Sequence, residues 1–204
     1  MVAAQAIFRM ISRFSILLIL AFVFCWTGAV AQSGKNPERE WLEAQRSMVN
    51  AVYRVANFAI WPNTAYRRNA KNPFLLGVET TNPPDFTLTR LGNQQVPDGR
   101  RISVRGLPED LSAPDLKRFE IIVVQNGDQL ETIRTRTENS STLIVGTFPG
   151  ALDAGCAIAL VETPEGWAYE FNLAELKSRK IEYDSRALEY SNRLLKNRVP
   201  LRSQ

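Results

Sequence analysis

Few side chains in this sequence could do chemistry. Histidine is absent from all 204 residues, which removes every triad built on an imidazole base and the usual zinc ligand sets. What remains are neighbouring polar pairs: Asp184 with Ser185, Glu170 with Asn172, and Glu175 with Lys177. General acid or base work needs a tuned group held close to its substrate in a cleft, and adjacent polar residues occur at the end of any strand or along any solvated helix. Gly146, Gly150 and Gly155 do not follow a strand in the spacing that cradles phosphate. Glu162, Glu165 and Glu170 flank a hairpin rather than gathering around a cation. The expectation is a protein that is not an enzyme, with no catalytic residues, no metal site and no cofactor.

Binding is the remaining chemistry. Trp61 at a helix end and Trp167 in a hairpin strand could line a ligand pocket, because an indole combines large contact area with a polar handle; packing in the core is their alternative use. Arg67, Arg68 and Lys71 form the densest basic cluster, in a polar loop over residues 63–72, and are nominated as a partner contact. Basic and acidic residues are otherwise interleaved, so the cluster is too small to argue for nucleic acid. Cys156 sits among Gly155, Ala157, Ile158, Ala159 and Leu160, a context of burial, where it is either a free small hydrophobe or pairs between chains.

Residues 1–31 stand apart from these elements. Arg9 and Arg13 precede the apolar run 14–26, and Ala29, Val30 and Ala31 give the small-residue pattern of signal-peptidase cleavage. The run is shorter than the roughly 20 residues that span a bilayer, so the reading is a cleaved signal peptide and an exported chain. Cys25 lies inside this run after Phe24, a poor acceptor for a lipid anchor. Cleavage leaves 173 residues, one domain with a real core, and 23 basic against 21 acidic residues. It also leaves Cys156 as the one cysteine, which excludes an internal disulfide.

Residues 32–46 form an N-terminal extension and the start of a helix that runs from about residue 38 to 60. Trp41, Gln45, Met48, Val52, Val55 and Ala59 recur at spacings of three and four, with Val49, Ala56 and Phe58 widening the stripe, and Pro62 ends the helix. Strands are predicted at 74–79, at 101–105 as an edge, at 119–124 as a central strand, at 142–147 and at 157–163. Helical segments fall near 84–91, 114–115 and 128–137. Pro164, Glu165 and Gly166 turn the chain into a strand over 167–172, where Trp167, Tyr169 and Phe171 share one face and Asn172 is placed to cap a following helix. Glu170 is expected to be exposed. Ala187, Leu188, Ser191, Leu194 and Leu195 give a last amphipathic helix, capped by Asp184 or Ser185. The fold class is α/β: a single domain over 47–198, with a mixed β-sheet flanked by helices on both faces and ending in a hairpin and a helix.

Two blocks of this chain resemble the YfiR family of periplasmic proteins. One is 51–62, with Asn57, Phe58, Trp61 and Pro62; the other is Tyr169, Glu170, Phe171, Asn172 and Leu173, leading to Leu194 and Leu195. Their structural signature is Asn57, Trp61, Pro62, Glu170, Phe171 and Asn172. The resemblance implies a non-enzymatic regulator that binds the periplasmic sensor part of an inner-membrane signalling protein. That partner would be a diguanylate cyclase, tying cyclic di-GMP and biofilm formation to envelope conditions, and a homodimer stays open. The alternative function is a periplasmic small-ligand-binding sensor or carrier. Well-known members look disulfide-bonded, and this chain, with Cys156 alone, departs from them.

Overall fold

The computed structural model describes residues 37–62, 69, 71–79, 87–92, 94–189 and 191–196, with side chains from Met48 onward. The chain divides into two compact units, Met1–Trp41 and Leu42–Gln204, and the sheet and both cores belong to the second. The signal segment 1–31 lies outside the described residues, as do Arg67 and Arg68.

Helix α1 (Pro37–Phe58) buries Met48, Val49, Val52, Val55 and Ala56 of its predicted stripe, with Ala51 beside them; Phe58 and Ala59 are half-buried, and the side chains of Trp41 and Gln45 lie outside the described residues. It stops four residues before Pro62, because β1 (Ala59–Ile60) pairs antiparallel with β8 (Glu182–Tyr183). The carbonyls left open at the helix end find donors there, Val55 O from the Tyr183 hydroxyl at 2.8 Å and Phe58 O from Asp184 N at 3.1 Å.

The remaining strands are β2 (Phe74–Val78), β3 (Ile102–Gly106), β4 (Ile121–Val124), β5 (Leu143–Gly146), β6 (Ile158–Thr163), β7 (Gly166–Asn172) and β9 (Ser191–Leu195). They form one seven-stranded sheet in the order β3-β2-β4-β5-β6-β7-β9. Pairings are parallel except β6 with β7, the predicted hairpin, so the sheet is mixed and β3 is an edge as expected. Strand alternation splits each run between two cores. Leu76, Ile121, Val123, Leu143, Val145 and Ile158 join α1 on one side. Leu75, Ile122, Val124 and Ile144 join Leu116 of α2 (Ala113–Leu116) and Ile133 of α3 (Leu130–Arg136) on the other. Each such fully buried aliphatic contributes roughly 1.5–3 kcal/mol.

Asn172 ends β7 and caps α4 (Leu173–Ser178), its Oδ1 accepting from Glu175 N at 3.0 Å. The expected last helix is corrected. Only α5 (Ser185–Glu189) is helical, and residues 191–195 form β9 alongside β7. The sequence spacing of Leu188, Ser191 and Leu195 fits a helix, but β7 has an outer edge whose backbone groups need partners. As a strand, β9 supplies them and sends its two leucines to opposite sides: Leu195 packs on the α3-side core, and Leu194 pairs with Phe171 of the α1-side core.

Candidate functional site

Two concave sites are built around α1, and their side chains come from elements far apart in sequence. The first is an aromatic pocket of about 370 Å³ lined by Arg54, Val55, Phe58, Tyr169, Phe171, Tyr183 and Ala187. The helical i, i+4 spacing brings Arg54 and Phe58 to one face, and the strand period brings Tyr169 and Phe171 to another. Phe171 is buried and meets the Tyr183 ring edge-on, with centroids 5.0 Å apart; Tyr169 and Phe171 are stacked at 6.4 Å. Burial pushes the Tyr183 phenol well above its ordinary value. Tyr169 is raised for the same reason, against the opposing effect of the nearby Arg54 charge.

The second is a cleft of about 440 Å³ bordered by Asn57, Ile60, Trp61, Pro62, Phe74 and Asp98, among others. Trp61 is fixed on its wall: Nε1 donates to Ser141 O at 3.1 Å, and the ring meets Phe74 edge-on at 5.2 Å. Behind Phe74 lies a buried ion pair. The Arg100 guanidinium stands 5.2 Å from the Phe74 ring centre, Nη1 contacts Glu120 Oε1 at 2.7 Å, and Nε contacts Asp98 Oδ2 at 2.8 Å. The other Glu120 oxygen accepts from Leu75 N at 2.7 Å.

Sequence reasoning missed both this pair and a second one. Glu175 is fully buried, which corrects its reading as a solvated neighbour of Lys177, and its Oε1 accepts from Arg179 Nε at 2.9 Å. Arg179 Nη1 also donates to Thr142 O at 2.8 Å and Thr137 Oγ1 at 3.2 Å, tying α4 to the chain between α3 and β5. The i, i+4 spacing of Glu175 and Arg179 was the available signal; nothing in sequence joins Arg100 to Glu120.

The other nominated residues are placed as follows. Trp167 is half-buried against the α1-side core and pairs with Glu162 near the carboxyl end of β6, whereas Trp61 contacts the chain at the amino ends of β2 and β5; the two do not share a pocket. Glu170 is half-buried rather than exposed, with Oε2 3.9 Å from Arg193 Nη1. Asn57 Nδ2 donates to Tyr53 O at 2.8 Å within α1. Lys71 is exposed. Asp184 is engaged by Arg186, whose hydrogen bonds pull its carboxyl down to about 2. No group of three His, Cys, Asp or Glu able to hold a metal occurs among the described residues.

Cys156 is free and fully buried, and burial pushes its thiol up to about 12. A thiol in that state presents almost no thiolate at neutral pH, and thiolate is the reactive form. Cys156 is therefore expected to react with a disulfide reagent such as dithionitrobenzoate only after the chain is unfolded. Rapid labelling of the native protein would contradict its placement.

The described residues form an α/β domain built on a seven-stranded mixed sheet, with concave sites beside α1. The YfiR/HmsC-like family matches residues 47–192, and the chain belongs to this family of periplasmic regulatory proteins. Among solved structures it is similar to a conserved domain protein from Vibrio cholerae O1 biovar El Tor strain N16961, at 10% identity and a TM-score of 0.47, covering 72% of this chain and 59% of that one. A search of curated proteins finds no match.

Proposed function

We propose that this chain is a periplasmic, non-enzymatic regulator that binds the periplasmic sensor part of an inner-membrane diguanylate cyclase and represses it, so holding cyclic di-GMP low. The family match over residues 47–192 carries this reading. The signal-peptide pattern before residue 32 supports export, and repression requires no chemistry from the regulator. It requires differential binding: a protein that favours the partner's inactive conformation shifts the partner toward it, and each tenfold preference is worth about 1.4 kcal/mol.

Deleting the gene is expected to raise cellular cyclic di-GMP and biofilm; unchanged levels of both would sink this version. A small-ligand sensor or carrier is the second reading, favoured by the Trp61 cleft, whose volume falls in the range of small-molecule sites.

A further inference from the structure

The aromatic pocket has an electrostatic asymmetry that restricts what it can hold. Arg54 is the one charged residue among its described lining residues. Its guanidinium is exposed, lies close enough to Tyr169 to act on its hydroxyl, and has no acidic partner among the described residues. The Tyr183 hydroxyl is already committed to Val55 O. An occupant therefore needs an apolar body and one carboxylate. A free amino acid brings an ammonium group as well, and no described lining residue is acidic; desolvating a charge without a partner is costly.

An aromatic side chain beside an acidic residue within a peptide meets both demands and carries no ammonium. The surface around the pocket fits such an occupant. Leu194, 43% exposed, is paired in register with Phe171 and extends the apolar surface from the pocket to β9. That strand ends the sheet, and no described strand covers its outer edge. An exposed edge beside a side-chain pocket is the arrangement that receives an extended peptide, with backbone pairing supplying affinity and the pocket supplying specificity.

We infer that the aromatic pocket and the β9 edge together dock an extended segment of the membrane partner, with an aromatic residue in the pocket and an adjacent acidic residue on Arg54. This rests on the regulatory reading above and names the chemistry of its contact.

The test measures binding of the purified chain to two acetylated, amidated pentapeptides that differ only in carrying Asp-Phe or Lys-Phe at the centre, with phenylalanine and phenylacetate as free ligands. The Asp-Phe peptide is expected to bind at least tenfold more tightly than the Lys-Phe peptide, and Arg54→Glu is expected to reverse the order. Leu194→Lys should weaken the Asp-Phe peptide, and Ala187→Phe, which fills the pocket, should abolish its binding. Circular dichroism checks the fold of the Ala187 variant, and the exposed Arg54 substitution keeps the test decisive should that variant unfold. Equal affinity for the two peptides, or binding of neither, overturns the inference. Phenylacetate or phenylalanine binding as tightly as the peptide and unaffected by Leu194→Lys also overturns it and assigns the pocket to a small ligand. Failure here with cyclic di-GMP still rising on deletion removes the docking site and leaves regulation standing; peptide binding without that rise removes regulation alone.

Discussion

An Arg179→Met variant is expected to lose about 3–5 kcal/mol of folding stability, the usual consequence of removing one member of a buried ion pair. Arg179 is 3% exposed and Glu175 is fully buried, so neither charge has water to fall back on. Methionine fills much of the volume but removes the Arg179 contacts to the buried Glu175 carboxylate and to the Thr142 carbonyl. The same loss frees α4 from the α3–β5 connection, and with it the end of β7 that carries Phe171. A domain of this size has only about 5–15 kcal/mol in total, so the effect is large. The double variant Glu175→Gln with Arg179→Met is expected to recover part of the loss, because it removes the stranded charge. Urea denaturation curves of the three proteins measure this; a single variant within about 0.5 kcal/mol of wild type would show that the pair is not buried as described.

Arg100→Met is expected to cost a similar amount, about 3–5 kcal/mol, for the same physical reason, with a different local consequence. Glu120, 2% exposed at its side chain, would keep its bond to Leu75 N and lose its 2.7 Å contact to Arg100, while Phe74 would lose the guanidinium over its face. Asp98 is 44% exposed and can turn to solvent, so Asp98→Asn should cost far less, within about 1 kcal/mol. Since Phe74 holds Trp61 edge-on, the Arg100 variant should also disturb the Trp61 cleft, visible as a shift in tryptophan emission. An Asp98 variant more damaging than the Arg100 variant would reverse the assignment of which contact matters.

The parts of the fold that were legible in sequence are those written as local periodicity. The α1 stripe from Met48 to Ala56 and the apolar run at 121–124 each encode their own burial, whereas the alternation of Trp167, Tyr169 and Phe171 shows which face packs on the α1-side core but leaves the two outer aromatics half-buried. Asn172 was legible as a cap because strand end and helix start meet at one residue. β9 was not, since the open edge of β7 that recruits it exists only after the sheet has formed. Arg100 and Glu120 are 20 residues apart and meet only when β2 pairs with both β3 and β4, so that the Arg100 side chain reaches across the start of β2 over Phe74. The aromatic pocket draws on α1, β7, β8 and α5, and a Tyr183 placed 128 residues from Val55 gives no local sign of its partner. Trp61 and Trp167, nominated together for their type, lie toward opposite ends of the sheet.

The most direct test of regulation by an exported binding protein is cyclic di-GMP measured in a deletion strain carrying either the full chain or a version lacking residues 1–31. The account predicts elevated cyclic di-GMP in the deletion, restored to the parental level by the full chain and left elevated by the version that cannot be exported. Levels unchanged by the deletion, or restored equally by both versions, would contradict it.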